Sequence, residues 1–190
     1  PLPERPTRYR AAASGRTSLP YSTFPLRHAT RSHTTMDLLE IFDPKAPPRP
    51  IGIDLGTTNS IVARVHDEAP EVITDCNGAW LVPSAVHYER GGQAIVGTQA
   101  LSLSALDPAH TIVSVKRLMG RGARDPETRR LGTYDFVEPT NESDERTVRF
   151  RVRERVLTPI EVSAEILRTL KKMAEDELTR VGGAVITVPA

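Results

Sequence analysis

A short polar turn in this chain carries residue types that can bind a phosphate group and a divalent cation. Gly56 has no Cβ and so lets the backbone pass close to a ligand, and Thr57, Thr58 and Asn59 follow it directly. Successive backbone N–H groups in such a turn form a nest for an anion, and the threonine hydroxyls add donors. Asp54 precedes the turn and can hold Mg²⁺ through water, because this ion takes few carboxylates, several waters and phosphate oxygens.

The elements that must position this turn are two strands. Apolar residues alternate up to Asp54 and resume over Ile61–Val65, which predicts a β-hairpin. No Gly-x-x-x-x-Gly-Lys-Ser/Thr loop occurs, and no Gly-x-Gly-x-x-Gly run opens a helix. Any one of these residues alone is better explained as part of an ordinary polar turn. The whole run from Ile53 to Ser60 is far more specific and favours phosphate binding.

The rest of the chain alternates short strands with tight turns and a few helices. Asn77-Gly78 and Gly91-Gly92 are turn signals between predicted strands. The predicted strands are 72–74, 81–88 and 94–96, followed by a helix over 98–106 that stops near Pro108 and by a helical stretch or extended turn over 111–118. A further hairpin is predicted to join 134–138 to 147–153, with its second strand half-exposed.

A long helix is predicted to begin at Thr158. This residue can cap the helix, Pro159 suits the first helical position, and Glu161 completes a capping box. The apolar face is predicted to consist of Ile160, Ala164, Leu167, Leu170, Met173 or Ala174, and Leu178. Gly182-Gly183 is expected to end the helix, and residues 184–189 are then expected to form a buried strand.

Four blocks of this sequence, in order, resemble the 70-kDa heat-shock chaperones of the actin-like ATPase superfamily. The blocks are residues 54–60, 81–88, 111–121 and 185–190. The resemblance implies an α/β fold, namely an incomplete actin-like (ribonuclease H-like) ATPase lobe with a β-hairpin phosphate loop. It also implies ATP and Mg²⁺ as cofactors, and ATP hydrolysis coupled to the binding of unfolded or client protein.

The same resemblance assigns roles to single residues. Lys116 lies at the position of a family lysine that reaches the active site and helps position the attacking water and the γ-phosphate. Asp54 would hold the water shell of Mg²⁺ and take part in catalysis, and residues 56–59 would bind phosphate. Pro189 matches a family proline that acts as a switch between nucleotide states. Without the motif match, Lys116 would be interpreted as a solvated lysine beside Arg117.

Finer features resemble HscA, the bacterial subfamily that serves iron–sulfur cluster assembly. They are residues 83–88, residues 114–121 and the run that begins at Met36. This resemblance implies a J-domain co-chaperone, an iron–sulfur scaffold protein as client and a location in the bacterial cytoplasm. A general DnaK-type folding chaperone is the first alternative. A sugar kinase of the same superfamily is the second, although it would need a sugar-contacting acid and would lack the block around Lys116.

The first 35 residues differ in character from the rest. They hold six arginines and one acid and show no apolar periodicity, so a disordered basic leader is expected. We expect translation to begin at Met36; the alternatives are a transit peptide, which would place the protein in an organelle matrix, and a functional basic tail. Residues 36–50 form a proline-rich linker, and 51–190 the first part of a nucleotide-binding domain. Because motifs for the second phosphate loop and the substrate-binding domain are absent, the 190-residue chain is expected to be inactive alone.

Composition narrows the classes of protein further. The chain is 38% apolar and 26% charged, as is usual for a globular protein. The whole chain has a net charge of +1, and its first 35 residues carry +5, so residues 36–190 carry −4. This negative charge argues against nucleic acid as a partner. No apolar run approaches the roughly 20 residues of a membrane span, so no membrane association is expected. The single cysteine, Cys76, cannot form an internal disulfide.

Overall fold

The computed structural model describes residues 48–131, 134–141 and 145–187. All of them belong to one compact unit, Pro44–Ala190. The predictions made for the leader, for residues 36–47 of the linker and for Pro189 therefore lie outside the described residues.

The unit is a mixed α/β structure with three sheets. Its strands are β1 (Arg49–Asp54), β2 (Asn59–His66), β3 (Ala69–Val72), β4 (Val82–Pro83), β5 (Ala85–Tyr88), β6 (Ala94–Val96), β7 (Thr111–Val113), β8 (Asp135–Phe136), β9 (Phe150–Val152), β10 (Arg155–Leu157) and β11 (Val181–Thr187). The helices are α1 (Thr98–Leu103), α2 (Pro126–Arg130) and α3 (Pro159–Leu178), with short 3₁₀ helices at Pro108–His110 and Val115–Leu118.

The largest sheet positions the predicted phosphate turn. Its strand order is β11-β1-β2-β3, and β4 also pairs with β2. β1 and β2 are antiparallel with Ile53 opposite Val62, which confirms the predicted hairpin. β1 pairs in parallel with β11, so that Asp54 and Thr187 lie side by side at the ends of their strands. β3 lies earlier than predicted, because Ala69–Val72 rather than 72–74 pairs with β2.

The predicted single strand over 81–88 is two strands, since pairing breaks at Ser84. β4 pairs with β2, whereas β5 lies in a second sheet of order β6-β5-β7. Pro83 has no N–H to donate, and the N–H of Ser84 is directed to the carbonyl of Thr58 instead of to a regular ladder. The chain therefore changes sheets next to the predicted phosphate turn.

The segment 111–118, predicted as a helical stretch or extended turn, is half strand and half 3₁₀ helix. β7 pairs with β5, and Ser114 then adopts a left-handed conformation with φ of 53°. Thr111, Ile112, Val115 and Leu118 are buried, and this burial holds the segment in place.

The third sheet has the order β10-β9-β8. The pairing of β8 with β9 confirms the predicted hairpin, with Phe150 and Val152 buried and Arg151 exposed between them. β10 was not predicted. A tight turn at Arg153, with φ of 57°, folds it back onto β9.

Helix α3 begins as predicted. Thr158 and Glu161 form the capping box, with both reciprocal hydrogen bonds present. The predicted apolar face is partly wrong: Ile160 is 64% exposed, whereas Val162 and Ile166 are fully buried together with Leu170 and Ala174. The buried face packs on β1, β2, β5, β6 and β11. Within the described ranges, no helix is long and apolar enough to cross a membrane.

The end of the described unit also differs from expectation. Helix α3 ends at Leu178, and Gly182-Gly183 lies inside β11 rather than at a helix terminus. β11 is largely exposed, with Val185 at 70%, instead of buried as predicted, because among the described strands it pairs on one side only. Gly182 is required there: a Cβ on it would lie 2.3 Å from the carbonyl oxygen of Pro48.

Candidate functional site

The turn between β1 and β2 is held by buried residues on either side of it. Ile51, Ile53 and Leu55 point into the core, and Ser60 is fully buried where β2 begins. The alternation places Asp54 on the outer face of the hairpin, where it is exposed. Residues 56–59 of the turn are half-buried or exposed, so a ligand can reach their polar groups.

Gly56 is fixed by the tightness of the turn itself. A Cβ at this position would lie 2.0 Å from the carbonyl oxygen of Asn59, and no side chain can be accommodated at that distance. The sequence predicted a glycine that admits a ligand. The structure adds an internal reason, which is the close approach of two backbone segments across the turn.

Asp54 is oriented by a residue from the other end of the unit. The hydroxyl of Thr187 donates a hydrogen bond to Oδ1 of Asp54 over 2.7 Å. The parallel pairing of β1 with β11 brings these two residues together. Sequence reasoning did not single out Thr187; the available signal was its place in the block 185–190, which resembles the family pattern.

Lys116 lies against the turn. Its Nζ donates to the carbonyl oxygen of Leu55 over 2.5 Å, although the two residues are 61 positions apart. Val115 and Leu118 are buried on the same 3₁₀ helix and fix its direction. The structure thus brings the lysine ammonium group to the backbone between Asp54, the predicted metal-binding residue, and Gly56, the first residue of the predicted phosphate turn.

Two buried serines, which the sequence analysis assigned no role, lie beneath the turn. The hydroxyl of Ser84 donates to the carbonyl oxygen of Gly56 over 2.8 Å and lies 3.0 Å from the hydroxyl of Ser60. The backbone of Ser84 also bonds to Thr58 and to Ser114. The only available signal was the serine after Pro83 in a motif that resembles the family pattern.

The residues present fit a hydrated Mg²⁺ ion with a bound phosphate. Asp54 offers one exposed carboxylate, and the described residues contain no cluster of three or more His, Cys, Asp or Glu that could hold a metal by themselves. A site with one carboxylate suits an ion that keeps several waters and also binds phosphate oxygens. Pro189 lies outside the described residues, and its role as a switch stays a prediction.

A mixed α/β unit with a polar turn on a β-hairpin agrees with the actin-like ATPase lobe expected from the sequence. The family model for the Hsp70 protein matches residues 50–190, which is most of the chain. The chain therefore belongs to the Hsp70 family, and its described unit is part of the ATPase domain of that family.

Similar curated relatives include several proteins named "Chaperone protein HscA homolog". One from Cupriavidus metallidurans is 46% identical over 162 residues. Others from Bordetella pertussis and Burkholderia orbicola are 48% identical over 162 and 163 residues. Each alignment covers 82% of this chain and 25% of the relative. The chain thus spans about a quarter of the length of these relatives.

Proposed function

We propose that the intact protein binds and hydrolyses ATP and that hydrolysis changes its affinity for a client protein. The observation that carries the proposal is the contact between Lys116 and Leu55. It gathers a carboxylate, an amide-rich turn and an ammonium group at one place, and these are the groups that phosphoryl transfer requires.

Each residue has a distinct part in this proposal. Asp54, held by Thr187, would hold the water shell of the metal, and residues 56–59 would offer N–H and hydroxyl donors to phosphate oxygens. Bound Mg²⁺ would supply neutralisation of phosphate charge. Lys116 keeps a positive charge beside the turn and helps to orient the attacking water, because phosphoryl transfer depends on positioning and charge stabilisation.

The names of the relatives favour a role in iron–sulfur cluster assembly. The proposed client is an iron–sulfur scaffold protein, the proposed stimulating partner is a J-domain co-chaperone, and the proposed compartment is the bacterial cytoplasm. A general folding chaperone is the competing function within the family. The match to the Hsp70 family model favours either chaperone over a sugar kinase.

The test is a chimera in which residues 50–190 replace the matching segment of the Cupriavidus metallidurans relative. We expect ATP turnover that a J-domain protein stimulates, and a fall of about 100-fold on Lys116→Ala or Asp54→Ala. Lys171→Ala is the matched control, because this lysine is exposed on α3 and forms an ion pair with Glu175, away from the candidate site. Unchanged turnover in Lys116→Ala would refute the proposed role.

Two further arms separate the competing functions. Stimulation of turnover by an iron–sulfur scaffold protein, and not by a generic unfolded peptide, supports the cluster-assembly role, and the reverse supports a general chaperone. Turnover that depends on a sugar would favour a kinase. Calorimetric titration of Mg·ATP into the 190-residue chain then shows whether this part binds nucleotide alone, and we expect no measurable heat.

A further inference from the structure

Ser84 lies at the junction of three segments that form the candidate site. Its N–H donates to the carbonyl of Thr58 over 2.8 Å, and its own carbonyl accepts from the N–H of Ser114 over 3.1 Å. Its hydroxyl donates to the carbonyl of Gly56 over 2.8 Å. One residue thus contacts the phosphate turn twice and the start of the Lys116 segment once.

The direction of the buried hydroxyl chain follows from counting protons. A carbonyl oxygen can only accept, so the single proton of the Ser84 hydroxyl is used on Gly56. The hydroxyl of Ser60, 3.0 Å away, must therefore donate to Ser84. Ser60 is fully buried and Ser84 is 3% exposed, so little solvent can replace either partner.

The contacts close a ring around the site. Lys116 donates to Leu55, Leu55 is bonded covalently to Gly56, and Gly56 accepts from Ser84. Ser84 accepts from Ser114, two residues before Lys116. Movement of the turn relative to the backbone of the Lys116 segment must therefore break or stretch either a contact made by Ser84 or the hydrogen bond from Lys116 to Leu55.

We infer that Ser84 is a positioning residue that holds the phosphate turn and Lys116 at a fixed separation. The inference rests on the proposed function, because it gives Ser84 a part in the same nucleotide site. Ser84→Ala leaves the Gly56 carbonyl and the Ser60 hydroxyl without this partner in a buried place, and an unpaired buried polar group favours rearrangement. The turn and Lys116 then become mobile relative to each other while α3 stays folded.

Amide hydrogen exchange on the full 190-residue chain, followed by NMR, tests this inference. In Ser84→Ala we expect exchange at the amides of position 84, Ser114 and Arg117 to quicken at least 10-fold, with unchanged rates at Ile166 and Leu170 in α3. Ser102→Ala is the matched control, since it removes a serine hydroxyl that donates to the Gln99 carbonyl in α1, and the three site amides should not respond. Unchanged site amides, or an equal acceleration in α3, would overturn the inference.

Ser60→Ala provides the test if Ser84→Ala does not fold. It removes only the donor to the Ser84 hydroxyl and should produce a smaller acceleration at the same amides. Acceleration at α3 but not at these amides would contradict the inference.

A double-variant cycle of Ser84→Ala with Lys116→Met measures the coupling between the two residues, which a serine with a purely local structural role would not show. If the two residues act through one ring, the change in unfolding equilibrium caused by Lys116→Met is at least 3-fold smaller in the Ser84→Ala background than in the wild type. Independent effects would overturn the inference.

In the chimera, Ser84→Ala should lower kcat about 10-fold and change KM less than 3-fold. Ser84→Thr, which keeps the hydroxyl, should recover part of kcat. A large change in KM with an unchanged kcat would overturn the inference. An inactive wild-type chimera would refute the proposed function while the exchange pattern still decides the role of Ser84. Normal ATP turnover with unaltered exchange in Ser84→Ala would refute the inference alone.

Discussion

At the proposed phosphate turn, the short distance between the backbone of residue 56 and the carbonyl of Asn59 requires a glycine. The sequence made Gly56 recognisable, because a glycine among hydroxyl residues at the end of a strand marks a tight polar turn. The contacts of Lys116 and Thr187 were not recognisable in this way. They join residues 61 and 133 positions apart, and no local rule links such residues.

Gly56→Ala is expected to destabilise the fold by about 1 to 3 kcal/mol, because the added Cβ would collide with the Asn59 carbonyl. Gly52→Ala is the control, as nothing lies within 4 Å of a Cβ there and the change should stay within about 0.5 kcal/mol. Urea denaturation of the two variants measures the difference. Equal stabilities would show that the turn can open without cost.

Among the elements, the start of α3 and the β1–β2 hairpin were predicted well because they carry local chemical signals. The capping box of Thr158 and Glu161 needs only residues three apart, and it is present. The buried face of α3 was predicted less well. Ile160 lies in the first turn and is exposed, whereas Ile166 meets the sheet, and the placement of the sheet decides between them. The break at Ser84 was missed for a related reason, since strand pairing there depends on two separate sheets.

The cap of α3 should contribute measurably to stability. In Thr158→Ala the N–H of Glu161 loses its acceptor, and we expect a loss of about 1 kcal/mol. The comparison is Thr169→Ala, where the hydroxyl only bonds back to the Glu165 carbonyl inside the helix. Because alanine favours the helix, Thr169→Ala should be as stable as the wild type or slightly more stable. Thermal unfolding followed by circular dichroism compares the stabilities of the two variants. A loss of stability in Thr169→Ala as large as in Thr158→Ala would contradict the assignment of Thr158 as the cap of α3.

The unit contains two tyrosines, Tyr88 fully buried and Tyr134 partly buried, whose ionisation couples the stability of the fold to pH. Burial, reinforced by the negative charge of Glu165, raises the pKa of Tyr88 well above its usual value. Burial likewise raises the pKa of Tyr134, against a smaller opposite effect of its hydrogen bond with Val113. Among the described side chains the Tyr88 hydroxyl is fully buried without a hydrogen-bond partner. The Tyr88 phenol therefore stays protonated in the folded protein at a pH where it ionises in the unfolded chain, and the pKa of Tyr134 is shifted in the same direction.

The free energy of unfolding should therefore fall as pH rises above about 10, the pKa of an unfolded tyrosine. Tyr88 contributes a slope of up to about 1.4 kcal/mol per pH unit in that range, and Tyr134 adds to it in the same direction. Tyr88→Phe removes one contribution without losing a hydrogen bond, so its curve should be flatter and its stability at pH 7 undiminished. Tyr134→Phe should also flatten the curve but lose about 1 kcal/mol at pH 7, because its hydroxyl bonds to Val113.

Urea denaturation at several pH values between 7 and 11 measures these curves. Parallel curves for Tyr88→Phe and the wild type would contradict the predicted coupling.

The parallel pairing of β1 with β11 has a consequence for the order of events during synthesis. Asp54 leaves the ribosome early, but Thr187, which orients its carboxylate, follows 133 residues later. At the usual speed of translation this interval is about 7 to 27 s. The β1–β2 hairpin can close long before that, since its contacts are local. The turn can therefore form first, and the carboxylate of Asp54 is oriented only later. A nascent chain can thus contain the folded β1–β2 turn before Thr187 is available to hydrogen-bond with Asp54.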